Sequence, residues 1–422
     1  MKRLVFTTLG IGVCAFGIWQ AARVGMARSF AHKALQTGDL SLADKAVSLA
    51  PNDAETHSAR GVILQSRENY TEACRELERA IQLRPRDYFL WMLLAVSRDL
   101  NQDQDGAVRA LRQAIALSPA YAKSHWLFGN LLLRMNNPTE AFQELRIAAA
   151  SDESLLPNVI DLAWGFHHGD AAQTSEEVRP QSDNARMALA IFFAGHNQAT
   201  AALEQFRAVP SPPAEAGQNL VSALLNAKAF VEAYTVWTNV HQLPSTIPSL
   251  LNADFEDEIS VGEDGFGWQI TGSTANVVLS ADPTQFKHGQ KSLRVDFHGD
   301  SAPDAPVASQ LIVLNRGTSY RLTFHAFSKD FVSTGVPVLV ISDASDPKNA
   351  VIGQSSVLSE AKDWREFAVD FTTGDRTNTV RVAMRRQGCS NNPCAAFGTV
   401  WLDSFTLQTS PEGSRSQANK LK

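Results

Sequence analysis

Ala46–Pro51 (AVSLAP), Ala80–Pro85 (AIQLRP) and Ala114–Pro119 (AIALSP) are three versions of one phrase, and their closing prolines stand 34 residues apart. A period of that length, with proline ending the second helix of each unit, marks an array of helical hairpins rather than a single enzyme core. Working outward from the prolines, small residues recur where two helices must approach. Gly61, Ala95 and Gly129 fall in first helices, Ala73, Ala107 and Ala141 open second helices, and Ala80, Ala114 and Ala148 come seven residues later. Leu77, Leu111 and Leu145 hold the large-residue phase between them, so that small positions let backbones close and large ones fill the groove.

Those agreeing phases over residues 53 to 150 resemble the tetratricopeptide repeat. Trp91 stands at that family's first-helix aromatic position, whereas His57 and His125 occupy it in the flanking units and depart from the pattern. Residues 30 to 51 read as a partial, capping repeat. Beyond Asp152 the period degrades, although 184 to 209 and 219 to 243 still read as helix pairs, separated by Pro210-Ser211-Pro212-Pro213. The resemblance implies a curved stack whose groove receives a protein partner, with Arg98, Asn130 and Arg134 as groove candidates; as single residues they read equally as solvated polar positions.

The chain has 422 residues, 44% hydrophobic and 19% charged, enough for more than one core. A formal net charge of -6 gives no electrostatic case for nucleic acid. After Lys2 and Arg3, residues 4 to 22 carry no charge until Arg23, and nineteen residues at helical rise span roughly 28 Å. The expectation is an uncleaved transmembrane anchor over 1–28, with a cleaved signal peptide as the rival reading. Four cysteines occur, and Cys389 and Cys394 stand close enough for one bridge, with a reduced pair and a metal site as alternatives. A bridge would place the body outside the cytoplasm, giving a single-pass inner-membrane protein with a periplasmic bulk.

Gln242 to Pro248 ends the helical pattern with two prolines, and beyond it the hydrophobic pattern changes to period two. Leu293, Val295 and Phe297 alternate with polar residues, as do Tyr320, Leu322 and Phe324, and Val380, Val382 and Met384. Many such strands separated by Gly, Asn and Asp turns predict an antiparallel β-sandwich. The domain reading is an anchor at 1–28, helical repeats over 29–243, a linker at 244–250, a sandwich over 251–409 and a disordered tail at 410–422. The fold class is therefore α then β, with an N-terminal transmembrane helix, an α-helical solenoid and a C-terminal jelly roll.

Six landmarks in order resemble the galactose-binding-like jelly roll of carbohydrate-binding modules. They are Asn252 to Glu256, Gly267-Trp268, His288 to Leu293, Asn315 to Leu322, Trp364 to Phe367 and Gly398 to Leu407. The resemblance implies a calcium tying first strand to last through Glu256 and Asp403, against plain hydrogen bonding by the same carboxylates; no catalytic cofactor is implied. Trp268, Trp364 and Trp401 read as core. A sugar needs an aromatic face and polar groups, for which Arg321, His325 and Phe327 on one strand and Arg381 and Arg385 on another are the candidates, with a solvated sheet face as the bland alternative. The acidic run Asp254, Glu256, Asp257 and Glu258 sits in a strand start and turn and does not form a glycosidase carboxylate pair. No nucleotide loop, zinc-protease motif or serine elbow appears. The expectation is a non-catalytic envelope scaffold for surface-polysaccharide assembly, with protein, polysaccharide and membrane as partners. The other readings are a protein adaptor and an unrecognised polysaccharide-acting enzyme.

Overall fold

The structure is a computed structural model and describes residues 2–259, 265–270, 276–302, 306–333, 335–389 and 394–410, without the side chains of residues 2–10, 13 and 360. The expected disordered tail lies, from residue 411 on, outside the described residues. Two compact units divide at Arg179/Pro180.

The first unit is a run of helices: α1 (Lys2–Thr37), α2 (Leu40–Leu49), α3 (Ala54–Ser66), α4 (Tyr70–Leu83), α5 (Tyr88–Leu100), α6 (Gln104–Leu117), α7 (Ala122–Arg134), α8 (Pro138–Ser151), α9 (Leu156–Phe166) and α10 (Ala171–Val178). From α3 to α8 the register of the repeat is kept to the residue. First helices begin at 54, 88 and 122, second helices at 70, 104 and 138, and the hairpin turns use left-handed Glu68, Gln102 and Asn136 at φ 62°, 64° and 58°. Ala73, Ala107 and Ala141 are fully buried, as are Leu77 and Leu145. A Cβ on Gly61 would lie 2.8 Å from Leu77 Cγ and one on Gly129 2.6 Å from Leu145 Cγ, so only a small residue fits this phase, filled by Ala95 in the middle unit.

The aromatic position of the repeat has a second function that its residue types conceal. Trp91 Nε1 donates to the Pro85 carbonyl at 2.9 Å, and the Nε2 atoms of His57 and His125 lie 2.9 Å from the Pro51 and Pro119 carbonyls. Each ring therefore ties its helix back to the proline six residues earlier, where the preceding hairpin ends. The histidines add a carboxylate partner nineteen residues on, Glu76 and Glu144, where the tryptophan unit has Ala110. The hydrogen bond to Glu76 raises the His57 pKa above 6.5, against the effect of burial. Burial works against Glu76 as well, but His57 and Arg60 hold its carboxyl below the usual range. A histidine whose pKa is raised on folding contributes stability that is complete below its unfolded pKa and is lost as pH rises through the folded one. The stability gap between wild type and His57→Gln is therefore expected to narrow as pH rises from about 6.5 through the raised value of the folded state. Thermal melts across that range check it, and a pH-independent gap would refute the charged pair.

Among the described residues no helix is long and apolar enough to cross a membrane. This corrects the expected transmembrane anchor, and with it the single-pass inner-membrane localisation. Helix α1 runs without a break through Arg23, Arg28 and Lys33 into the array, where Ala27, Ala31 and Ala34 are buried and Arg28 binds Asp53 at 2.8 Å. The stretch is the leading part of a packing helix, and uncharged length alone did not reveal that continuation.

The second unit contains α11 (Asp183–Gly195), α12 (Ala199–Arg207), α13 (Ala214–Asn226) and α14 (Phe230–Val240), then, among the described residues, ten strands. These are β1 (Gln269–Ile270), β2 (Val277–Asp282), β3 (Ser292–Ser301), β4 (Ala308–Val313), β5 (Ser319–Ser333), β6 (Val336–Asp343), β7 (Val351–Gln354), β8 (Arg365–Thr372), β9 (Thr379–Gln387) and β10 (Cys394–Thr409). They form two antiparallel five-stranded sheets, β1-β4-β9-β6-β7 and β2-β3-β10-β5-β8. Inward phases of both sheets supply one core that includes Leu293, Phe297, Phe324, Val382, Met384 and Leu402. Tyr234 of α14 donates to the Thr246 carbonyl, and Ser249 exchanges hydrogen bonds with Val313, so the segment between helices and sandwich is fastened at both ends. Cys389 and Cys394 are joined by a disulfide.

Candidate functional site

The outward phase of β5 carries Arg321, Thr323, His325 and Phe327, and β10 lies alongside it in the sheet. Trp401 of β10 stands between Phe327 of β5 and Arg294 of β3 in register. It belongs to the outward face, contrary to the expected core position, and is only 5% exposed because neighbours cover it. Phe327 stacks on it with ring centroids 4.9 Å apart, and the Arg294 guanidinium lies 5.5 Å from the ring centre. Its indole donates to Asp282 at 2.9 Å. Burial pushes the Asp282 pKa up, but Thr284, Trp401 and Arg294 more than offset this and hold it at about 2, so the carboxylate is a fixed acceptor. Trp364 lies beside Phe327 at 6.0 Å, half-buried, and its Nε1 is buried with no acceptor among the described residues.

Phe327 and Trp401 line a broad recess of about 940 Å³ together with Arg294, Asp282, Lys329 and Lys362. Gly398, at φ 110°, makes it possible: a Cβ there would strike the Asp330 and Phe331 backbone, and β10 shifts register against β5 at this point. A second recess of about 620 Å³ on the same face is lined by Arg321, His325, His288, Glu366 and Thr406. Arg321 makes a two-pronged pair with Asp370 at 2.8 Å, both exposed. Burial, then the Lys287 ammonium, pushes the His325 pKa down, so the ring is neutral near pH 7, with a buried Nδ1 that has no partner among the described residues.

Arg381 and Arg385 do not join this surface. They lie on β9, in the opposite sheet, and outward phases of two facing sheets point away from each other. Period-two patterning assigns a residue to a face but not to a sheet.

The calcium ligands expected at Glu256 and Asp403 have a different use. Glu256 accepts the Gln290 and Lys291 amides at 2.6 and 2.9 Å, and these bonds hold its pKa below the usual range. Asp403, fully buried, accepts the Lys287 and His288 amides at 2.7 and 3.1 Å and the Ser404 amide at 2.6 Å. The Lys291 ammonium takes the Glu256 carbonyl, an oxygen that a cation would need. No group of three or more His, Cys, Asp or Glu among the described residues could hold a metal. The donor set does not fit calcium, and the two carboxylates pin the 287–291 loop by hydrogen bonds.

In the array, the groove candidates are engaged locally. Arg98 reaches Glu78 at 2.8 Å and the Gly106 carbonyl, Asn130 donates to the Trp126 carbonyl, and Arg134 pairs with Asp99 and the Asn130 carbonyl. Arg98 and Arg134 tie neighbouring helices together, and Asn130 bonds within its own helix α7. Of the sugar-facing candidates, then, Arg321, His325 and Phe327 share a face, while Trp401, Arg294 and Asp282 were missed. The alternation of inward Val400 and Leu402 was the signal that places Trp401 outward.

Residues 248–391, about a third of the chain, match the family model described as a carbohydrate binding domain. No curated protein matches the sequence. Among solved structures, MamA from Desulfovibrio magneticus is similar at 21% identity over 32% of this chain and 76% of its own, with a TM-score of 0.29. A second MamA crystal structure gives 14% identity over 50% of this chain and 96% of its own, at TM-score 0.30. A mutant O-GlcNAc transferase from Thermobaculum terrenum gives 22% over 31% of this chain and 26% of its own, at 0.29. Likenesses at those scores carry no argument; the helical half is read from its own 34-residue register. The chain thus joins helical hairpins in a 34-residue register to a C-terminal domain that matches a carbohydrate binding domain over residues 248–391.

Proposed function

We propose that this protein is a non-catalytic scaffold that holds a glycan on the outer face of the β2-β3-β10-β5-β8 sheet and a protein partner on its helical array, serving assembly or export of a surface polysaccharide. The observation that carries the reading is the Phe327–Trp401 stack in an open recess bordered by Arg294, Asp282 and Lys329. An aromatic face suits the apolar side of a pyranose, and fixed polar groups suit its hydroxyls. Asp282, as a permanent acceptor at that edge, favours a neutral or hydroxyl-rich sugar there. An array that docks proteins, carried in one chain with a glycan-holding domain, suits a step in which polymer is passed between proteins.

Phe327→Ala removes the half-buried, outward-facing partner of the stack without touching the core. It is expected to weaken retention of the full chain in polysaccharide affinity gels by about thirtyfold, the equivalent of about 2 kcal/mol for a central aromatic contact. Equal retention of variant and wild type would move the site elsewhere. No retention of the wild type on any of a broad set of polysaccharides would leave the adaptor reading, and release of reducing ends would overturn the non-catalytic one.

A further inference from the structure

On the other side of the sandwich, the turn between α13 and α14 lies against the outer face of the β1-β4-β9-β6-β7 sheet, α14 touching β4. The two do not close completely. A cavity of about 360 Å³ remains, lined by Asn226, Lys228, Gln269, Leu311, Asn349 and Arg381. Among the described residues its charged members are both cations, its other polar members are neutral amides, and no carboxylate lines it.

Arg381 is half-buried there, and its guanidinium makes no hydrogen bond or ion pair among the described residues. Across the sheet its neighbours are Leu311 and Ser342, neither of which can neutralise it. Arg385, further along the same face, is another arginine without a carboxylate, and its Nε is buried without a partner among the described residues. Burial and the Arg385 charge together push the Arg381 pKa down. The cost of such a placement is considerable, because a guanidinium removed from water ordinarily recovers its solvation from an acidic partner. Three other arginines of this domain show the ordinary solution. Arg294 has Asp296 at 2.8 Å, Arg321 has Asp370 at 2.8 Å, and the buried Arg386 is surrounded by carbonyl and hydroxyl oxygens.

We propose that this cavity is a binding site for an oxyanion, the carboxylate of an acidic sugar or a phosphate, held by Arg381 with Lys228 and the amides of Asn226 and Asn349. A planar guanidinium meets a carboxylate or phosphate with two parallel hydrogen bonds, and an exposed lysine on the turn supplies a second charge from the opposite wall. The volume suits a monosaccharide or smaller group. Leu311 and Phe230 close the apolar side, and the amides offer neutral donors around the anion. The site is separate from the aromatic recess, so the two can be occupied independently.

The test is calorimetric titration of the full chain with sodium glucuronate and with inorganic phosphate, using glucose as the neutral control, on wild type, Arg381→Gln and Lys228→Gln. Wild type is expected to bind at least one of the two anions and not glucose. Arg381→Gln is expected to weaken that binding by tenfold or more while leaving polysaccharide retention at the Phe327 face unchanged. Preference for glucuronate assigns the oxyanion to an acidic sugar, and preference for phosphate to a free or esterified phosphate. Lys228, on an exposed turn, can be changed without risk to the fold, so a severalfold loss in Lys228→Gln keeps the test decisive if Arg381→Gln does not fold. Absence of binding by both anions, or equal binding by wild type and both variants, overturns the proposal.

Discussion

Asp403→Ala is expected to destabilise the second unit by about 3–5 kcal/mol, a large share of the 5–15 kcal/mol that holds an ordinary domain together. The carboxylate is fully buried and accepts three amides, from Lys287, His288 and Ser404. Each charged hydrogen bond is worth about 1.5–3 kcal/mol net, and the truncation leaves the three donors without acceptors. Those bonds are not additive, so the whole falls short of their sum. Asp403→Asn keeps one acceptor oxygen and turns the other into a donor facing an amide, and its loss is expected to be intermediate. Thermal and urea melts of the full chain measure both. Chelation with EDTA is the matching control: with both carboxylates committed to amides, it is expected to leave the wild-type melting temperature unmoved. A fall of several degrees on chelation would show that calcium, not the amide set, holds the loop.

Arg386→Met is expected to cost about 3 kcal/mol, the balance of two opposed effects. Removing a buried cation relieves its desolvation, which favours the variant. Against that, Arg386 donates to the Ser301 carbonyl at 2.7 Å, the Ser301 hydroxyl at 2.6 Å and the Cys394 carbonyl at 2.7 Å, and it covers Phe297. The side chain is 1% exposed, so no water replaces those donors. Orphaned carbonyls at about 1–3 kcal/mol each outweigh the relief. All three bonds come from one nitrogen, Nη2, so Arg386→Lys, whose ammonium carries three donors, is expected to recover part of the loss, while giving up the Nη1 bond to Ser333. Full stability in Arg386→Met would mean that the acceptors find other donors and that the residue is a filler.

The parts of this protein that could be read in advance are those governed by period. The 34-residue phase of Gly61, Ala95 and Gly129 against Leu77, Leu111 and Leu145 is a one-dimensional record of helix packing, and the fold keeps it to the residue. Alternation along β3, β5 and β9 likewise separates core from outward positions, because side chains on a strand must point to opposite faces. It placed Arg321, His325 and Phe327 on one surface. The errors arose where a local signal was asked a non-local question. Uncharged length at residues 4 to 22 resembled a span, but whether that helix stands alone or continues into a packed array depends on Ala27, Ala31 and Ala34 meeting their neighbours. The order of chemical types at Glu256 and Asp403 matched a calcium pair, yet the 287–291 loop brings its amides to both.

The order of amino acids is thus enough to specify the repeat, the sandwich and the face on which each strand residue lies, since these arise from periods of 34, 3.6 and 2 along the chain. Which faces come together was settled in three dimensions. Strand pairing put Trp401 between Phe327 and Arg294, sent Arg381 to the opposite sheet beneath α13 and α14, and gave the carboxylates their amides. The physical reason is that a site is made by residues far apart in sequence, and no local period encodes the distance between two strands that the fold chooses to pair.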